Sequence, residues 1–137
     1  MEKFLYFRNV AAVADDDNIE DSACFKASAL IGIFPSGDSE LKLTFDPIQR
    51  PSDTGVGGAA DSGANLPLVD TVLLNLTTAN THRAVIANII AAINGGPHAT
   101  GFIIVADDAT DDSNSAATYL AGVATCGTIT HNAAFTN

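Results

Sequence analysis

The chain has 137 residues, of which 47% are hydrophobic and 16% charged. That is enough apolar material for one folded domain and too little length for two, and it excludes intrinsic disorder. Sixteen Asp and Glu against six Lys and Arg leave a net charge of −10, and all six cations (Lys3, Arg8, Lys26, Lys42, Arg50, Arg83) precede residue 84. Such a surface repels a phosphate backbone, so no nucleic-acid partner is expected.

In chain order, Met1 to Arg8 reads as a strand with apolar residues on both faces, expected to be buried from two sides. Only four apolar residues separate its charges, too few for the core of a secretory signal, so synthesis in the cytosol is expected. No apolar run nears the length of about eighteen residues that spans a membrane. Ala14 to Asp21 is an acidic loop that cannot pack without counter-charges. Ser22 to Ala27 alternates weakly, and Ala29 to Phe34 is a clearer strand, ended by the turn chemistry of Pro35-Ser36-Gly37-Asp38. Glu40 to Phe45 alternates strictly, which predicts Leu41, Leu43 and Phe45 inward and Glu40, Lys42 and Thr44 toward water. The last two runs form a hairpin.

Asp46 to Pro67 has no periodicity and carries glycines at 55, 57, 58 and 63. A loop this long within a compact domain is uncommon and usually functional or mobile, so residues 46–67 are expected to form an arm projecting between two paired strands. Ordering it costs about 1–2 kcal/mol per residue, which only burial against another surface can offset. Its apolar anchors Ile48, Val56, Leu66 and Leu68, with Arg50 as its one cation, are therefore the expected interface residues. Val69 to Thr77 resumes as a strand with Val72, Leu74 and Leu76 on one face. Val85, Ile86, Ile89, Ile90 and Ile93 mark a helix over about 80–94, with Thr78 or Asn80 as cap and Gly95-Gly96-Pro97 as stop. Gly101 to Ala106 is a central strand under that helix, Asp107 to Ser115 a second acidic loop, Ser115 to Ala121 a short helical turn, and Gly127 to His131 a final strand. The architecture expected is α+β, a mostly antiparallel sheet with one main helix packed on one face.

Little in this sequence carries chemistry. Asp15-Asp16-Asp17-Asn18-Ile19-Glu20 begins like a calcium loop but places Ile19 and Glu20 at positions five and six, where a ligand and a glycine are needed. Asp107 to Asp112 matches no ligand spacing either, so both loops are expected to be solvated, repulsive surfaces. Gly55-Val56-Gly57-Gly58 has neither the Lys nor the helix of a phosphate cradle. His82, His98 and His131 have no partner at triad or ligand spacing and are expected to face solvent. Cys24 and Cys126 fit no zinc or redox motif and read as isolated buried thiols, although a disulfide stays open if the ends of the sheet meet. No cofactor and no catalytic residue is assigned.

Taken in order, Met1 to Arg8, the hairpin from Ala29 to Phe45, the strand and helix from Val72 to Asn94, Gly101 to Asp108, and Cys126 to Thr130 resemble the short virion structural proteins of marine cyanobacterial tailed phages. The resemblance implies a non-enzymatic component of a phage particle, with a capsid decoration or cement protein as one place for it. Its partners would then be a major capsid protein and further copies of itself, in a homo-oligomer set by capsid symmetry. An acidic, calcium-assisted adhesion or fibre module that assembles subunit to subunit is the main alternative. A small enzyme with a site assembled from distant residues is the third.

Overall fold

The computed structural model describes residues 2–48, 68–95, 101–112 and 117–134. Two four-stranded sheets carry the fold. One has the order β2-β1-β6-β7, built from Phe4–Arg8 (β1), Ser22–Lys26 (β2), Phe102–Asp107 (β6) and Thr118–Tyr119 (β7). The other has the order β3-β4-β5-β8, built from Leu30–Gly37 (β3), Glu40–Phe45 (β4), Leu68–Leu76 (β5) and Val123–Ala134 (β8). Among the described residues every pairing is antiparallel except β1 with β6. With the one α-helix described, α1, His82–Gly95, this is the expected α+β class.

The strands fall into two sheets where one was expected. Alternation tells which face of a strand is buried but not against what, and here the buried faces meet each other. Phe25 of β2 stacks on Phe45 of β4 with ring centroids 4.1 Å apart, and Phe7 of β1 meets the same ring edge-on at 5.9 Å. Leu5, Phe7, Ile103 and Val105 from one sheet and Leu41, Leu43, Val72, Leu74 and Ile129 from the other complete a single core. Fully burying each such side chain contributes about 1.5–3 kcal/mol. The second face of β1 is only half covered, since Phe4 and Tyr6 stay partly exposed.

Helix α1 bridges the two sheets. In its first turn the His82 Nε2 lies 2.7 Å from the Gly37 carbonyl and 3.1 Å from that of Glu40, at the β3–β4 turn. Near its end the Ile93 carbonyl accepts a hydrogen bond from Lys3, just before β1. His82 is thus tied to the hairpin and does not simply face solvent; His98 lies outside the described residues. Val85 and Ile89 are buried, Ile86 and Ile93 pack at the margin, and Ile90 is 40% exposed. The apolar stripe is therefore wider than the face that docks. Neither expected cap holds: the Val85 N–H donates to the Thr81 carbonyl at 3.1 Å, and Asn80 instead takes a left-handed turn with φ 64, a region Asn tolerates better than most residues.

Several local expectations are corrected. β3 runs through Pro35 to Gly37, because an edge strand accommodates a residue that lacks an N–H. Thr44 is buried, being in an interior strand between Gly32 and Thr71 of its neighbours. Residues 117–121 hold the short strand β7 in place of a helical turn, with Ala106 and Asp107 opposite Tyr119 and Thr118. Cys126 is buried but Cys24 is exposed, and both are free thiols. β4 and β5 are indeed paired, Phe45 opposite Asp70, so the arm joins adjacent strands. Its residues 49–67, with Arg50, Val56 and Leu66, lie outside the described residues.

Candidate functional site

The ends of the two sheets differ in what they leave open. The long strand β8 is covered along its middle, where the Cys126 N–H donates to Asp108 Oδ1 at 3.0 Å and the Gly127 carbonyl accepts from Asn9 Nδ2 at 3.1 Å. β7 has only two residues. No described strand pairs with the outer side of β2, which is an open edge among the described residues. The Asn9 N–H donates to the Asp21 carbonyl at 2.9 Å and the Ala27 N–H to that of Lys3 at 2.7 Å. In the register Leu5↔Phe25 and Phe7↔Ala23, antiparallel alternation then turns the backbone groups of Ala23 and Phe25 toward β1 and those of Ser22, Cys24 and Lys26 outward.

Two cavities lie along this edge and share Ile48. One, of about 200 Å³, is lined by Ile19, Ser22, Ala23, Ile48 and His131. The other, of about 400 Å³, is lined by Phe4, Cys24, Phe25, Lys26, Ala29, Asp46, Pro47 and Ile48. Together they form a mainly apolar groove between β2 and the segment leaving β4. Ile48 is 55% exposed within it. Of the expected interface residues, the structure thus brings Ile48 to the groove. Leu68 opens β5, half-buried and opposite Ala134, and lines neither cavity.

Ile48 is held by Asp70, which is fully buried in β5. The Asp70 carboxylate accepts the Ile48 N–H at 3.0 Å, the Asn132 N–H at 2.9 Å, and a bond from His131 Nδ1 at 2.9 Å. His131 Nε2 lies 2.6 Å from the Ile19 carbonyl. His131 is accordingly not solvent-facing; its side chain is 11% exposed, and it ties the loop at Ile19 to β8 while Asp70 fixes the segment at Ile48. A signal for this centre was present in the sequence. Asp70 shares the parity of Val72, Leu74 and Leu76, which puts a carboxylate on the buried face of β5 and requires a buried partner.

A buried Asp–His pair beside a serine also invites comparison with a nucleophilic triad. Here the arrangement is different: Ser22 Oγ donates to Asp16 Oδ1 at 2.7 Å, and His131 Nε2 is occupied by the Ile19 carbonyl. The pair positions backbone.

The acidic loops are not the solvated, repulsive surfaces expected. Arg8 at the end of β1 is buried and stands opposite Asp107 of β6 in the parallel register. Its Nε and Nη2 both bond the Asp107 carboxylate at 2.8 Å, Nη2 also reaches Asp112 at 2.8 Å, and Nη1 lies 3.5 Å from Asp16. The hydrogen bond donated to Asp107 foremost, then that to Asp112, strengthens the hold of Arg8 on its proton. One cation therefore gathers carboxylates from both loops. Asp111 accepts the Val13 N–H at 2.7 Å, and Asp108 accepts the Tyr119 hydroxyl at 2.7 Å. Burial, with the neighbouring Asp108 and Asp107 charges, pushes the Cys126 thiol up to about 12, so it carries almost no thiolate at neutral pH. Among the described residues, no group of three or more His, Cys, Asp or Glu is placed to hold a metal ion, and no helix is long and apolar enough to cross a membrane.

No protein-family model matches the chain, and neither a curated protein nor a solved structure is significantly similar to it.

Proposed function

We propose that the chain is a non-enzymatic structural protein of a virion, serving as a decoration or cement protein on the capsid. One observation carries the binding role: a largely apolar groove beside an open strand edge, with Ile48 exposed on a backbone pinned by a buried carboxylate. Exposed apolar groups on a fixed backbone suit lasting subunit contacts, because little ordering entropy is lost on docking. The placement on a particle rests on the resemblance, in the order of strand, hairpin, helix and strand, to the phage structural proteins. The acidic surface suits it too, since it avoids packaged nucleic acid.

The test is quantitative mass spectrometry of density-purified virions, followed by rebinding of the purified protein to virions stripped of it. The protein is expected at a fixed stoichiometry to the major capsid protein, with Ile48→Asp failing to rebind while remaining folded. Absence from the virions, or normal rebinding by Ile48→Asp, would refute the reading. The fibre alternative draws on a different feature, the edge of β3 in the second sheet, where Ile31 and Phe34 are exposed. Strand addition at two different edges makes a heterologous contact that need not close. Filaments of the purified protein under electron microscopy would favour that reading over decoration.

A further inference from the structure

We infer that two copies of this chain join edge to edge through β2, antiparallel about a two-fold axis at Cys24, so that their sheets become one of eight strands. The occupant of the groove is then a second copy, wherever the assembly serves.

The register follows from which groups are free. Ser22, Cys24 and Lys26 turn their N–H and C=O outward, as the β1–β2 ladder requires. An antiparallel partner uses all three only when the axis passes through Cys24. Ser22 then lies opposite Lys26 of the second copy, Cys24 opposite Cys24, and Lys26 opposite Ser22. Shifting the register by a step of two leaves one of the three without a counterpart. A self-complementary patch of this kind is what a closed two-fold dimer needs.

Charge selects the same partner. In a chain of net charge −10, β2 carries no acid and one cation, Lys26. The two-fold register places each Lys26 beside the other copy's Ser22, next to Asp21 and the exposed turn containing Asp17 and Glu20. Attraction is thereby repeated on both sides of the axis. The two Lys26 residues lie four positions apart along the ladder, about 14 Å at strand spacing, beyond the screening length of about 8 Å in physiological salt. The groove beside the edge lets the added strand lie against Ile48, which is 55% exposed, covering apolar surface of the described residues.

Cys24 reports directly on the axis. Residues opposite one another in a hydrogen-bonded antiparallel pair have Cα atoms about 5.5 Å apart, within the roughly 4.4–6.8 Å that a disulfide spans. The experiment is sedimentation of the reduced full chain, together with mild copper–phenanthroline oxidation read on a non-reducing gel. The expected results are a reduced dimer and rapid formation of a covalent dimer, lost in Cys24→Ser and kept in Cys126→Ala. Cys24→Pro removes the outward N–H at an edge-strand position that accommodates the ring, and is expected to sediment as a monomer with an unchanged circular dichroism spectrum. Lys26→Glu, at an exposed position, sets like charges together and is expected to weaken the dimer at least about tenfold; it serves as the second variant should Cys24→Pro not fold. A reduced protein that stays monomeric at high micromolar concentration would overturn the inference. So would a dimer that survives Lys26→Glu undiminished.

Discussion

Replacing Asp70 by Ala removes the centre of the groove without touching its apolar lining. The carboxylate is fully buried and receives the Ile48 and Asn132 N–H groups and the His131 ring. Each of these three partners then loses an acceptor, and a buried donor left unsatisfied costs about 1–3 kcal/mol. A loss of about 3–5 kcal/mol is therefore expected, equivalent to a fall in Tm of about 10–20 °C for a domain of this size. Asp70→Asn keeps the volume and one acceptor oxygen but loses the charge, and should cost about half as much. Urea unfolding followed by circular dichroism measures both, with equal m-values showing that the same surface is exposed. A loss below about 1 kcal/mol in Asp70→Ala would refute the reasoning, because it would mean that His131 and Ile48 are held by something else.

The helix gives a paired prediction: Ile89→Ala, at a fully buried position, should cost about 2–5 kcal/mol in urea unfolding, and Ile90→Ala, 40% exposed, less than about 1 kcal/mol. Gly122 has φ +92, and a Cβ there would meet Val85 Cγ2 at 2.7 Å, so Gly122→Ala should lower Tm through both strain and collision. In the native protein a disulfide reagent should titrate one thiol, Cys24, and reach Cys126 only after unfolding. At high pH the sign is fixed. The folded state holds the Cys126 proton up to about 12 whereas an unfolded thiol releases it near 9, so unfolding releases a proton in that window and stability should fall as pH rises through it. A thermal-melt series across pH 9 to 12 on wild type and Cys126→Ala isolates this share, and equal slopes for the two would refute it.

What the sequence shows of this fold is what neighbouring residues decide. The β3–β4 hairpin, the apolar face of β5, the helix and the central strand β6 are all visible as periodicity, because each reflects contacts within about ten residues. The pairing of β1 with β6 is not, since Arg8 and Asp107 are 99 positions apart and nothing in either segment names the other. The second acidic loop misleads for the same reason: the counter-charge of Asp107 and Asp112 is Arg8, about a hundred positions earlier. Asp70 was legible, as a carboxylate out of place in an apolar alternation, but its partners at Ile48, His131 and Asn132 come from three separate stretches. Of the groove, the exposed Ile48 could be anticipated from the arm's composition. The open edge of β2 could not, because an edge is a property of the sheet order.

The parallel register of β1 against β6 also sets an order of events. β3, β4 and β5 follow one another as a meander, whereas β1, the first strand to be synthesised, finds its central neighbour only when residues 102–107 exist. Contacts that close long loops form slowly, because the chain loses the entropy before the contact returns any energy. The sheet containing the hairpin should therefore assemble first, with β1 and β2 held only loosely until β6 docks and Arg8 meets Asp107. Pulsed hydrogen exchange during refolding would show it as amides of β4 and β5 protected ahead of those of β1; simultaneous protection would mean that the two sheets form together. Until that last step the edge of β2 has no complete sheet behind it, so residues 102–107 must be present and docked before the chain can offer that edge to a neighbour.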